Sequence, residues 1–184
     1  MLQISTIPTW DSIHPLIIHF PIALLLVSPL FMLIGIIRQP EKGRPFLETA
    51  VVLLLLGTVT LFFAVESGET AAELADQTPP VADLLRQHQQ LASDTRNLFV
   101  TLSVISIGVL MLPRLLSTNR VLFTRVLPLS FLVFYAVGII FLVNTADRGG
   151  RLVHEFGVHA VIAPTTERPA APPVAPESLE SKLR

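Results

Sequence analysis

Four long stretches of this chain hold almost no charge, and each approaches the length of a bilayer crossing. They run over residues 15–37, 45–65, 98–112 and 121–143, with only Glu48 and Arg125 inside them. A helix rises ~1.5 Å per residue, so roughly 20 residues cover a hydrocarbon layer of about 30 Å. In lipid every backbone N–H and C=O needs a partner within the chain, and a helix supplies one locally. The third stretch is short, but the helical pattern over 81–97 runs into it, so this helix enters the apolar layer near Asp94. Overall, 51% of residues are hydrophobic and 15% charged. Soluble domains carry about 25% charged residues, so an ordinary soluble enzyme is excluded. The predicted fold class is all-α: a four-span transmembrane helical bundle over residues 1–163, followed by a Pro/Ala-rich tail over 164–184.

Charge sets the expected orientation. The first connection holds Arg38, Lys42 and Arg44 against Glu41, and the third holds Arg114 and Arg120, with Arg125 just inside the fourth span. The connection between spans two and three is mainly acidic: Glu66, Glu69, Glu73, Asp76, Asp83 and Asp94 against Arg86 and Arg96. The positive-inside rule puts both basic loops in the cytoplasm, and both termini with the acidic connection outside. Arg148 and Arg151 weaken this contrast without reversing it. The chain then reads as a multi-pass protein of a membrane that borders the cytoplasm. The first span has no Lys or Arg before it and no small-residue cleavage site after it, so it reads as a retained anchor rather than a signal peptide.

Short connections make antiparallel neighbours, hence an up-down bundle. Gly35, Gly57, Gly108 and Gly138, one per span, allow close helix contact in lipid. Pro21, Pro29 and Pro128 each remove a backbone donor, free a carbonyl four residues earlier, and predict kinks. Glu66, Glu69, Glu73 and Asp76 form a solvated stripe past the second span, opposite Val65, Gly68, Ala72 and Ala75. Thr78-Pro79-Pro80 breaks the chain, and Pro80 suits the start of the next helix. That helix shows one apolar face: Val81, Leu84, Leu85, His88, Leu91, Ala92, Thr95 and Leu98. An extracytoplasmic helical hairpin extension of the bundle follows from these patterns. Asp11 is placed as a cap of the first helix, and Glu48 and Arg125 as a pair or as snorkelling interface residues.

Histidine is the informative residue. All five, His14, His19, His88, His154 and His159, fall at or beyond the expected outer end. Histidine is both a metal ligand and a proton carrier. His14 and His19 differ by about 140° in direction on a regular helix, so they do not chelate one ion together. Pro15 places His14 before the helix or at its N-cap. His88 has apolar helical neighbours in Leu84 and Leu91 and is the better inward candidate. A b-type haem held by two histidines from facing helices suits a bundle, with His19 and His88 as the pair. A divalent metal held by His19, His88 and Glu69 or Glu66 is the second option. The bland alternatives are hydrogen-bonding anchors at the membrane boundary for the histidines and a solvated face for the glutamates.

No cysteine is present, which excludes disulfides, zinc–thiolate sites, iron–sulfur ligation and covalent c-type haem attachment within the chain. The net charge of −1 offers nothing to nucleic acid. No Ser-His-Asp order, phosphate loop, His-Glu-x-x-His or nucleotide fingerprint occurs, so the sequence favours a non-enzyme.

The stretch His14-Pro15-Leu16-Ile17-Ile18-His19-Phe20-Pro21-Ile22-Ala23-Leu24 resembles the signature of a bacterial membrane family catalogued as domain of unknown function 2231. Ser67-Gly68-Glu69-Thr70-Ala71 looks like that family's Gly-Glu-x-Ala segment, and His88-Gln89-Gln90-Leu91-Ala92 like its His-x-x-Leu element. The stretch from Gly149-Gly150-Arg151-Leu152-Val153 to Val158 looks like its closing Gly-Gly-x-Leu-Val-Tyr-x-x-Gly-Val motif. Together these cover most of 13–161. The resemblance implies four membrane helices without an assigned activity, and relatives found beside c-type cytochromes. It singles out His14, His19 and His88. The chain departs at His154, where tyrosine is common, and at Asp147, where histidine is frequent.

Together these readings give an integral membrane protein whose outer histidines, among them His14, His19, His88 and His154, bind haem b or a divalent metal in membrane electron transfer. Its expected partners are lipid and a cytochrome or other membrane-complex subunits. The rival is a non-catalytic accessory subunit of a respiratory or photosynthetic complex, its tail laid over a neighbour. A transporter is least favoured, because the mid-bilayer stretches lack an ionisable pathway.

Overall fold

A computed structural model describes residues 10, 13–38, 40–75, 78–115 and 122–158. Asp11, Asp76, Arg120, His159 and the tail over 164–184 lie outside them. The helices are α1 (His14–Ile17), α2 (His19–Ile37), α3 (Pro40–Glu73), α4 (Val81–Leu115) and α5 (Leu127–His154), with a π-helical turn over Leu122–Val126 before α5. No strand occurs among the described residues. Four helices, the first formed by α1 and α2 together, are long and apolar enough to cross a membrane. Between 28% and 33% of each apolar stretch is buried inside the protein. The outward majority is nonetheless apolar, with Leu30, Val52, Leu56, Val104, Val133 and Ile140 all exposed. An apolar surface of this extent suits lipid rather than water.

The helices form a ring. Each of α2, α3, α4 and α5 packs on its chain neighbours, and α2 closes on α5. Leu25, Met32, Leu54, Phe99, Leu102, Phe131 and Tyr135 fill the centre. Hydroxyls bind the ring laterally. Ser28 donates to the Ala50 carbonyl at 2.9 Å, Thr58 meets Ser103 at 2.9 Å, and Thr95 meets Thr145 at 2.8 Å. No buried side-chain N or O among the described residues lacks a partner.

Proline chemistry explains two local features. Pro21 cannot donate to the Ile17 carbonyl, and the helix is interrupted at Ile18, between α1 and α2. Pro29 cannot donate to the Leu25 carbonyl, yet α2 runs unbroken through it. The hydroxyl of fully buried Tyr135, the chain's one tyrosine, donates to that Leu25 carbonyl at 2.9 Å. Tyr135→Phe is therefore expected to lower stability by about 1 kcal/mol by orphaning the carbonyl. Equilibrium unfolding in mixed micelles checks this, and an unchanged midpoint contradicts it.

Three sequence expectations are corrected. The second helix begins at Pro40 rather than residue 45, and Pro45 sits inside α3. Gly43 of α3 lies directly on the Gly35 carbonyl of α2, and among its described residues the basic connection is largely helical. Pro128 occupies the first turn of α5, a position that tolerates proline without a kink, and the irregularity is the π-helical turn before it. The fourth helix runs past its apolar stretch, which closes at residue 143, to His154. Gly149 and Gly150 lie inside it despite their poor helix propensity. Of the four span glycines, Gly35, Gly57 and Gly138 face close side chains, whereas Gly108 has no neighbour within 4 Å.

At one end of the ring α3, α4 and α5 extend together. Ala72, Val81, Leu84, Leu85 and Leu152 form a second apolar cluster, with Ala75, Phe156 and Val158 against it. The predicted apolar face of α4 is buried or half-buried at every position, and Glu66, Glu69 and Glu73 are exposed. Gly157 takes a left-handed conformation (φ 64°) that only glycine adopts without strain. It turns the chain back, so Val158 N–H reaches the Leu152 carbonyl at 3.0 Å and the Val158 side chain joins the cluster.

Candidate functional site

Two histidines from distant parts of the chain come within electrostatic reach of each other at this end. His14 is the first residue of α1 with Ile13 as its N-cap, so it is helical rather than preceding the helix. The helix start accommodates it because Pro15 falls in the first turn, where its missing N–H costs no intrahelical bond. Its ring lies against α3. Nδ1 is 3.1 Å from Ser67 Oγ, and Ser67 itself donates to the Ala64 carbonyl at 3.1 Å. With the serine hydrogen on that carbonyl, the Nδ1–H tautomer of His14 is the one that bonds Ser67. Gly68 beside it has no side chain, and a Cβ there would stand 2.8 Å from His14 Cε1.

His88 repeats the arrangement between α4 and α5. Its Nδ1 is 3.1 Å from the Thr145 carbonyl, which can only accept, so Nδ1 carries the proton. A Cβ at Gly149 would stand 3.0 Å from His88 Cε1, which explains a glycine inside α5 at that position. Thr145 is doubly used, because its hydroxyl also bonds Thr95. Both rings are half-buried, and in the Nδ1–H tautomer each presents Nε2 as a lone-pair donor. His14 and Arg148 both lie within electrostatic reach of His88.

The other candidates lie apart from this pair. His19 and Glu69 are exposed, and His154, the last residue of α5, is exposed as well. Glu48 pairs with Arg44 along its own helix at 3.0 Å, and Arg125 is exposed. Beyond α5, Glu155 is held below the ordinary carboxylate range by the hydrogen-bonded Arg151 guanidinium. Among the described residues no group of three or more His, Cys, Asp or Glu is placed to hold a metal ion. Ser67 and Thr145, the acceptors that orient the pair, carry no signal of that role in the sequence. Small hydroxyl residues are common in membrane helices, and their partners are decided by helix rotation and depth.

The residues that converge here, His14, Ser67, Gly68, His88 and Gly149, are widely separated along the chain. No curated protein and no solved structure matches the chain. The family model described as "Predicted membrane protein (DUF2231)" matches residues 11–161, a span that includes every one of these side chains. The chain therefore belongs to the DUF2231 family of predicted membrane proteins.

Proposed function

We propose that His14 and His88 are the two protein ligands of a haem b held at the outer end of the bundle, and that the protein serves membrane electron transfer. The observation that carries this reading is the pair of imidazoles, each with Nδ1 at 3.1 Å from a protein hydrogen-bonding partner, an arrangement that leaves Nε2 for a ligand. Ligating histidines characteristically donate their second nitrogen to a carbonyl or similar group, which sets the tautomer and ring plane. The donor set also discriminates between cofactors. A divalent metal needs further protein ligands, and no third His, Cys, Asp or Glu joins the pair among the described residues. An iron porphyrin needs only two axial imidazoles, so the residues fit haem better than His19, His88 and Glu69 fit a metal. Haem, when bound, supplies reversible one-electron exchange. The chain's part is to hold both rings in one tautomer, and to keep Gly68 and Gly149 bare so that the rings seat on the helices. A cytochrome or another membrane-complex subunit is the matching electron partner.

Oxidised and dithionite-reduced absorption spectra of the purified protein, with haem quantified as its pyridine complex, test this. About one haem per chain is expected. A folded protein with neither haem nor its Soret band removes the proposal. The accessory-subunit reading then stands. In that case His14 joins α1 to α3 and His88 joins α4 to α5 as interhelix hydrogen bonds.

The outer assignment of this end rests on loop charge. Because the chain has no cysteine, single cysteines report topology cleanly. Thr78→Cys is expected to react with a membrane-impermeant maleimide in intact cells, and Lys42→Cys only after permeabilisation. The reverse pattern would invert the orientation.

A further inference from the structure

A second polar feature lies beside the histidine pair. An open cleft of about 440 Å³ runs along α4 and is closed on one side by α5. Arg86, Gln87, Gln90, Leu91 and Asp94 line it from α4, and Arg148 from α5. Leu91 is the single apolar side chain among them. Gln90 donates to Asp94 at 3.1 Å, and Arg86 pairs with Asp83 outside the cleft. Arg148 is half-buried and makes no ion pair or hydrogen bond among the described residues.

Depth narrows the ligand. The apolar run of α5 ends at Val143 and that of α4 begins at Leu98. With α4 entering the apolar layer near Asp94, and at ~1.5 Å per residue, Arg148 lies roughly 7–8 Å and Gln90 about 6 Å beyond the hydrocarbon edge. The headgroup layer occupies roughly the first 5–8 Å there, since the whole bilayer exceeds its hydrocarbon core by about 10–15 Å. A guanidinium at this level, with the carboxamide N–H donors of Gln87 lining the same cleft about a turn farther out, presents a set of donors suited to a phosphate.

We infer that the α4–α5 cleft binds a phosphate-bearing anion on Arg148, with Arg86 and Gln87 as supporting donors, and that its source is the headgroup of an anionic phospholipid. Leu91 then lies against the glycerol carbons, and Asp94 stays occupied by Gln90. This site does not depend on the histidine pair, and its test reads no haem.

Native mass spectrometry of the full chain from nanodiscs of phosphatidylcholine, with and without phosphatidylglycerol, measures retained lipid. Wild type is expected to retain phosphatidylglycerol over phosphatidylcholine. Arg148→Gln should lose about tenfold in that preference, and Arg148→Lys less. Titration with inorganic phosphate separates the sources. Lipid retention that Arg148→Gln removes assigns the headgroup. Phosphate binding at Arg148 without lipid preference assigns a free anion to the same site. Equal lipid retention in wild type and Arg148→Gln, with no phosphate binding that depends on Arg148, overturns the inference. Arg125→Gln, exposed outside the cleft, serves as the control for general loss of positive charge.

Discussion

Gly43→Leu is expected to destabilise the bundle by at least about 2 kcal/mol, the upper range for overpacking. A Cβ at Gly43 would run into the Gly35 carbonyl oxygen, and that obstacle is backbone. The first and second spans, the most extensively packed pair in the protein, would have to move apart. Gly57 differs in kind: its Cβ would meet the Leu25 side-chain tip at 2.7 Å, and a leucine tip can rotate away. Gly108→Leu is the matched control, because nothing lies within 4 Å of that position and the residue faces outward. Its effect is expected to stay within about 0.5 kcal/mol. Equilibrium unfolding of both variants in mixed micelles decides the matter. Equal effects at 43 and 108 would contradict the close approach of α2 and α3.

The second large effect concerns the histidine pair. His14→Ala and His88→Ala are each expected to reduce haem retention at least about tenfold, because each would remove one of the two proposed haem-holding residues. Neither ring lies in the central core, so the helical content should persist. Gly149→Leu extends the test without touching a ligand. Its Cβ would press on His88 Cε1 and turn the ring from the Thr145 carbonyl, so retention should fall with both histidines intact. His19→Ala and His154→Ala alter exposed residues and should leave retention unchanged. Retention that survives in both His14→Ala and His88→Ala, but is lost in His19→Ala, would restore the ligand choice made from sequence alone.

Much of the scaffold was legible because a bilayer makes apolar length a direct structural signal. The four crossings, the break at Thr78-Pro79-Pro80 and the inward face of α4 all follow from local pattern. The Pro21 interruption follows as well, since a missing N–H acts on its own helix. What escaped depended on two helices at once. Helix α3 packs its first turns on α2 where Gly43 meets Gly35, and α5 continues through Gly149-Gly150 where His88 needs the space. Neither contact has a signature within its own segment. His88 was readable as inward from Leu84 and Leu91. His14 was not readable as its neighbour, because the proline after it pointed to a position ahead of the helix, and its acceptor Ser67 lies in another span. The favoured partner, His19, falls on an exposed face that only the rotation of α2 decides.

The most direct measurement of the central claim, that His14 and His88 act as one ligand pair, is low-temperature electron paramagnetic resonance of the oxidised protein. A low-spin ferric signal characteristic of two axial imidazoles is expected in wild type, and its loss in His14→Ala and in His88→Ala. A folded wild-type protein without that signal, or the same low-spin signal in both variants, would contradict the account.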